Sequence, residues 1–227
     1  MPNLADIHVN DLRSQANQVL HSVELLKECD GQRWTQCSNR LLFHCLNSIG
    51  GEMERVLEAT TRYDTVQSSW ATRNLLELTF VVDYLTRSEA NRNRFVQEAD
   101  CDALFLMRTF EEIESKNPAH QPTPAVDAAI SRLVSTTPLD CQTHGSRDVR
   151  KIARELGREG ELDELYKLLS KMSHPTPWSM IGGSNRRDDV DLSFNWQAFG
   201  KYLLVLSLRY SAEAILVISR PPNAGPV

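Results

Sequence analysis

The stretch Trp70–Leu85, WATRNLLELTFVVDYL, decides the fold class because its apolar residues recur with the period of an α-helix. On a helical wheel Leu78, Val81 and Leu85 share one side, which we expect to face the core. Polar residues occupy the opposite side, which we expect to face solvent: Thr72, Thr79, Asp83 and Thr86. The stretch therefore predicts an amphipathic helix over 65–86.

The same period recurs along the chain. It predicts helices over 4–29, 35–61, 65–86, 89–116, 124–134, 146–156, 161–173 and 195–220. Ser88 suits the N-cap of the fourth helix, and Pro124 suits the first position of the fifth. The last helix is apolar nearly all round, which is typical of a central helix. We therefore predict an all-α fold, with a single bundle of seven or eight helices over 1–220 and a disordered tail at 221–227.

Composition and charge narrow the class of protein. Of the 227 residues, 41% are hydrophobic and 24% are charged, as in ordinary globular proteins. The net charge of −5 argues against a general nucleic-acid coat protein. The N-terminus lacks the pattern of a secretion signal, and the apolar stretch Tyr202–Ser219 is interrupted by Arg209 and Glu213. We therefore expect a soluble, cytoplasmic protein without a membrane span.

The cysteines and histidines form no recognisable metal motif. The five cysteines include no C-x-x-C pair, and their odd number in a chain of this size indicates reduced thiols. Cys37, His44 and Cys45 lack the fourth ligand and the spacing of a zinc site. There is also no glycine-rich phosphate loop, no G-x-S-x-G motif and no H-E-x-x-H motif. We expect neither a metal nor a cofactor.

Two arginine–glutamate pairs occupy positions where a bundle should be apolar. Arg73 and Glu77 are four residues apart on the third predicted helix, so their side chains can meet. Arg209 and Glu213 have the same spacing on the last helix, and we expect both pairs to face inward. Burying such ions carries a large desolvation penalty, so stability alone is a poor reason for them. Each pair is either an internal brace between helices or part of a polar site.

Tyr166, Ser170 and His174 recur at every fourth position and form one line along a helix. His174 precedes Pro175, where the helix has to end, and the exposed carbonyl groups of a helix end stabilise a charged histidine. Because histidine titrates near neutral pH, His174 is a candidate general acid or base. The alternative is a histidine that is hydrogen-bonded within the turn.

A basic face marks the predicted helix over 146–156 and the residues that follow it. Its members are Arg147, Arg150, Lys151, Arg154 and Arg158. On an acidic protein such a face is a candidate phosphate contact. The alternative is a solvated face that is paired with nearby carboxylates.

Four segments resemble DUF5677, a family of prokaryotic all-α proteins without an established activity. They are WATRNLLELTFVVDYL, RFVQEAD, IARELG and YKLLSKMSHPTPW, and together they span 70–178. The positions that match the family pattern are Arg73, Glu77, Phe95, Tyr166, Ser170 and His174. The resemblance implies an all-α fold and brings no activity with it.

A looser similarity is to the HEPN class of small helical bundles, many of which are RNases in toxin–antitoxin and phage-defence systems. The signature of that class is an arginine followed, after four to six residues, by a histidine. None of the six histidines here follows an arginine at that spacing. The nearest match to the signature is Lys167, which is separated from His174 by six residues.

These features lead to two hypotheses. In the first, a pocket acts on RNA or another phosphate-bearing ligand without a metal, as in a toxin or a phage-defence protein. His174, Arg73 and Glu77 would form its catalytic group, with Tyr166 and Ser170 binding substrate and Arg147, Arg150 and Arg154 contacting phosphates. The pocket requires the third helix and the Tyr166 helix to pack side by side. In the second hypothesis, the protein is a non-catalytic interaction module that binds a partner protein or forms a homodimer.

Overall fold

The computed structural model describes residues 8–29, 37–116, 124–136, 148–173 and 196–220. Within these ranges the chain forms eight helices and no strand, which confirms the predicted all-α bundle. The helices are α1 (Val9–Cys29), α2 (Cys37–Thr61), α3 (Thr65–Arg87), α4 (Glu89–Ser115), α5 (Pro124–Thr136), α6 (Val149–Glu155), α7 (Glu159–Ser173) and α8 (Trp196–Ser219). The predicted tail at 221–227 lies outside the described residues.

Helices α3 and α8 form the centre of the bundle. α3 packs against α2, α4, α6, α7 and α8, and α8 packs against α1, α2 and α3. The small residues on α8 are buried, which lets neighbouring helices approach it closely: Gly200, Ser207, Ser211 and Ala214. The apolar C-terminal helix is therefore central, as its sequence predicts.

The expectation that Thr72 and Thr79 face solvent is wrong, because both side chains are buried against α8. The Thr72 hydroxyl donates to the Ser68 carbonyl at 2.7 Å, and its oxygen lies 2.9 Å from the Ser207 hydroxyl oxygen. Thr79 donates to the carbonyl oxygens of Leu75 at 2.8 Å and Tyr210 at 3.1 Å. A threonine whose hydroxyl is satisfied in this way can be buried at little cost.

Two helix boundaries position the charged groups described below. Ser88 caps α4 as predicted, and its hydroxyl accepts the Asn91 N–H at 3.1 Å. At the end of α6, Gly157 adopts a φ of 73°, and the Arg158 N–H donates to the Ala153 carbonyl at 2.8 Å. This is a Schellman-type helix end, which requires a left-handed residue that glycine supplies. It separates α6 from α7, which begins two residues earlier than predicted.

Helix α8 tests the expectation that the protein has no membrane span. Residues Ala198–Ser219 are long and apolar enough to cross a membrane, and within the described ranges no other helix meets that criterion. A core helix of a soluble bundle has the same composition, and 44% of the apolar window in α8 is buried inside this bundle.

The expectation of reduced thiols holds for Cys45 and is wrong for Cys101. Cys45 is a free, buried thiol, and burial raises its pKa to about 12. Cys101 is disulfide-bonded.

Candidate functional site

Helices α3 and α7 pack side by side and run in opposite directions, as the predicted pocket requires. Arg73 in the first half of α3 contacts Tyr166 in the middle of α7. Asp83 near the end of α3 lies 3.6 Å from Arg158, the residue that precedes α7. We call the end of this interface around Arg73 and Tyr166 the α3–α7 groove.

Arg73 is held in the groove by groups from both helices. Its Nε donates to Glu77 Oε1 at 2.9 Å, one turn further along α3, and its Nη2 donates to the Tyr166 hydroxyl. The guanidinium carbon lies 4.1 Å from the centre of the Tyr166 ring, within cation–π range. The Arg73 side chain is only 18% exposed. The Arg73–Glu77 pair therefore faces inward as predicted, and Tyr166 is its neighbour.

Arg150 reaches the same tyrosine from α6. Its guanidinium carbon lies 5.6 Å from the Tyr166 ring centre, and half of its side chain is exposed. Its nearest carboxylate is Asp163 at 3.8 Å, which is beyond hydrogen-bond length. Arg150 and Asp163 therefore form an ion pair without a hydrogen bond. Within the described residues the Arg150 side chain donates no hydrogen bond, so its N–H donors can bind a ligand.

Two serine hydroxyls in this interface are buried and unbonded. Ser170 lies one turn beyond Tyr166, and Ser69 lies one turn before Arg73. Because the helices are antiparallel, both serines lie toward the same end of the groove. The Oγ atoms of both are buried, and neither has a hydrogen-bond partner within the described chain. A buried hydroxyl without a partner costs about 1–3 kcal/mol, so this pair departs from what stability favours.

The sequence analysis did not identify Ser69. Its signal was available, because Ser69, Arg73 and Glu77 recur at every fourth position. A serine on the stripe of an inward-facing arginine is a candidate for the same polar site.

The other predicted site residues are not joined to the groove by the structure. His174 and Arg147 lie outside the described residues, so their roles stay predictions. Arg154 donates to Glu159 at 2.6 and 3.3 Å on the surface. Its hydrogen bond to Glu159 is the main cause of its raised pKa, and the same bond lowers the pKa of Glu159. Arg154 therefore fits the alternative of a solvated, paired face.

The predicted inward pair Arg209–Glu213 is wrong. Arg209 is 55% exposed, and its Nη2 donates to Glu161 Oε1 at 2.8 Å. Glu213 instead accepts a hydrogen bond from Arg158 at 2.5 Å. Spacing by four residues permits a pair, but carboxylate and guanidinium groups on other helices compete for the same partners.

Arg158 is the centre of a charge network that joins α3, α7 and α8. Its Nε and Nη2 donate to Glu161 Oε2 at 3.0 and 2.9 Å, and its guanidinium carbon lies 4.6 Å from the Phe80 ring centre. Burial lowers the pKa of Arg158, but the hydrogen bonds to Glu213 and Glu161 outweigh it and raise the pKa above its ordinary value. Arg158 is thus not part of the predicted basic surface, because the turn at Gly157 directs it inward.

Tyr210 completes the network. Its hydroxyl donates to Glu161 Oε1 at 3.2 Å. Burial, followed by the charge of Glu161, raises the pKa of Tyr210. Opposite charges balance here, and the ion pairs involve Arg87, Arg158 and Arg209 with Asp83, Glu161 and Glu213.

Across the described ranges, no group of three or more histidine, cysteine, aspartate or glutamate side chains could hold a metal ion.

Comparisons of the chain with protein-family models, with curated proteins and with solved structures give no match. The similarity to DUF5677 and to HEPN proteins therefore stays a prediction, and the residues of the groove carry the functional argument.

Proposed function

We propose that the α3–α7 groove binds the phosphate backbone of RNA, and that the protein is a metal-independent RNase with His174 as its general acid or base. The observation that carries the proposal is Arg150, a half-exposed guanidinium without a hydrogen bond, beside the anchored Arg73. Two arginines at one tyrosine suit a phosphate, because guanidinium donors match its oxygen atoms.

The unbonded hydroxyls support a ligand at this place. Within the described part of the chain, Ser69 and Ser170 are each buried without a hydrogen-bond partner, and a bound polar group would supply the missing hydrogen bonds. Such groups persist in native proteins at sites where function outweighs stability.

The chemistry requires no metal. A general base would take the proton from a ribose 2′-hydroxyl, whose oxygen attacks the adjacent phosphorus while the bond to the 5′-oxygen breaks. A general acid would return a proton to that leaving oxygen, which gives a 2′,3′-cyclic phosphate and a 5′-hydroxyl end. Arg73 and Arg150 would stabilise the extra negative charge on the phosphorane. His174 follows Ser170 by four residues in the sequence and is the titratable group for the proton transfers.

The setting that goes with this activity is a cytoplasmic toxin or phage-defence protein of a prokaryote. This part of the proposal rests on the resemblance to HEPN bundles and to DUF5677. An acidic protein that binds RNA at one groove would be sensitive to salt, because a few phosphate contacts provide the attraction.

The direct test is cleavage of total RNA in EDTA by the wild-type protein and by His174→Ala. We expect cleavage by the wild type, with 2′,3′-cyclic phosphate ends, and a loss of at least a hundredfold in the variant, in the range of general acid–base catalysis. Equal cleavage by both proteins, or cleavage by neither, would rule out the RNase. Arg154→Ala is the matched control, since that arginine is already paired.

A second candidate function, homodimerisation, is favoured by the exposed side of α4. Five residues recur at alternating spacings of four and three, which is the seam of a coiled coil: Ala99, Ala103, Leu106, Phe110 and Ile113. The three large members are all more than half exposed. We propose that the α4 helix of a second copy covers this seam, because a heptad seam requires a helical partner.

Light scattering over a concentration series tests the dimer. Phe110→Glu should give a monomer, whereas Phe105→Glu should leave the dimer intact, because Phe105 is equally exposed but lies off the seam. A monomeric wild type, or the same response to both substitutions, would exclude this interface.

A further inference from the structure

A cavity lies where the first turns of α1 and α8 meet the connection between α2 and α3. Its volume is about 270 Å³. Water occupies about 30 Å³ per molecule in the liquid, so the space suits a ligand of about ten non-hydrogen atoms. The wall is partly apolar, with Val9, Ala59 and Leu204.

Two cations line this cavity without a carboxylate partner. Arg13 comes from α1 and Lys201 from α8, and both side chains are half-buried. Within the described residues neither forms an ion pair. Arg13 donates from Nη2 to the Thr61 hydroxyl at 3.2 Å, while its Nε is buried and unbonded. Half-buried cations without a counter-ion are unfavourable, and this arrangement favours an anionic ligand.

Ser68 adds an unbonded hydroxyl to the wall. The residue is 1% exposed and lines the cavity, and its side chain makes no hydrogen bond within the described part of the chain. Asp64 also lines the cavity, but its Oδ1 accepts the Gln67 N–H at 2.9 Å and caps α3. The charged lining groups therefore give one net positive charge, and one carboxylate is already engaged.

We propose that this cavity binds a small phosphomonoester. The phosphate group would take hydrogen bonds from Arg13, Lys201 and Ser68, and the apolar wall would contact the organic part. A phosphate group offers three acceptor oxygens to these donors, whereas a carboxylate offers two. The site is independent of the proposed RNase, since it shares no residue with the α3–α7 groove.

Isothermal titration calorimetry on the full chain tests the site with three probes: sn-glycerol 3-phosphate, inorganic phosphate and glycerol. We expect saturable binding of the phosphomonoester, binding of inorganic phosphate at least tenfold weaker, and no binding of glycerol. No saturable binding of the phosphomonoester would overturn the proposal. Equal binding of inorganic phosphate would overturn the assignment of an organic ligand.

Substitutions locate the binding within the protein. Arg13→Gln and Lys201→Ala should each weaken phosphomonoester binding at least tenfold, and Arg13→Lys should retain most of it. Arg40→Ala is the control, because Arg40 is exposed on α2 and does not line the cavity. Helical circular dichroism of each variant shows whether it folds. Unchanged affinity in a folded Arg13→Gln and a folded Lys201→Ala would overturn the site.

Discussion

The α3–α7 interface contains two charged regions of opposite character. Around Arg158, three arginines and three carboxylates neutralise each other across three helices, and the hydroxyl of Tyr210 is bonded as well. Around Arg73, two serine hydroxyls have no hydrogen-bond partner among the described residues, and Arg150 is half-exposed, with Asp163 at 3.8 Å. A complete network stabilises the fold, whereas an incomplete one suits a ligand. Substitutions around Arg158 should therefore mainly lower stability, whereas substitutions around Arg73 and Arg150 should mainly weaken RNA binding.

The largest effect on stability is expected from Arg158→Ala. It leaves the partly buried Glu161, Glu213 and Asp83 without their common partner. The free energy of unfolding should therefore fall by about 3 kcal/mol. This is the low end of the range for a broken buried ion pair, because the network is partly hydrated. Urea denaturation measures it. Arg154→Ala removes the same side chain from the surface and should leave the midpoint unchanged. Equal midpoints for the two variants would mean that the Arg158 network is not a structural clamp.

Alkaline pH should lower the free energy of unfolding of the protein. The pKa values of Cys45 and Tyr210 are raised in the folded protein, so their stabilising effect is complete below the unfolded pKa and is lost as the pH rises. For Cys45 the loss begins near pH 9 and reaches about 2 kcal/mol by pH 10.5. Above pH 10 Tyr210 adds to it. Thermal unfolding from pH 8 to 10.5 should show less alkaline loss in Cys45→Ala, and in Tyr210→Phe a difference only above pH 10. A wild-type stability that stays constant to pH 10.5 contradicts both assignments.

Tyr166→Phe separates the anchor of Arg73 from its ring contact. The variant keeps the aromatic ring and loses the hydroxyl that accepts the Arg73 hydrogen bond, so we expect a loss of about 1–2 kcal/mol. RNA binding should also weaken, because Arg73 would be less well ordered. Guanidinium denaturation and an RNA titration measure the two effects. An unchanged stability together with unchanged RNA binding would show that Tyr166 does not position Arg73.

The smallest effect has the opposite sign. Ser69→Ala and Ser170→Ala each remove an unbonded buried hydroxyl, so each should leave stability unchanged or raise it by up to about 1 kcal/mol. Thr79→Val is the matched control, because it removes a bonded hydroxyl and should lower stability by about 1 kcal/mol. If Ser69→Ala and Ser170→Ala destabilise the protein as much as Thr79→Val does, the hydroxyls in the groove are satisfied and the contrast between the regions fails.

The sequence predicts the helices well and the partners of their side chains poorly. Helix positions follow from local periodicity, and the cap at Ser88 follows from local chemistry. Arg73 and Glu77 pair as their spacing predicts, because four residues along a helix bring the two side chains together. Arg209 and Glu213 have the same spacing and do not pair, because Glu161 and Arg158 arrive from other parts of the chain. The sequence around Arg209 and Glu213 does not reveal these competing partners, because they lie on other parts of the chain.

The misassigned threonines have a different physical cause. Thr72 and Thr79 are polar by composition, but their hydroxyls bond to carbonyl groups one turn back, which makes the side chains suitable for a helix interface. The basic run in the sequence predicts that Arg158 is exposed, whereas its side chain is partly buried. The left-handed Gly157 changes the direction of the chain just before it, so the basic run is not continuous on one face.

Titration of a labelled single-stranded RNA tests whether the α3–α7 groove binds phosphate through Arg150. At one fixed salt concentration, Arg150→Ala should bind at least tenfold more weakly than the wild type, and Arg154→Ala should bind like the wild type. The stability of Arg150→Ala should be unchanged. Equal RNA affinity for the wild type and Arg150→Ala, or absence of RNA binding by the wild type, would contradict the account.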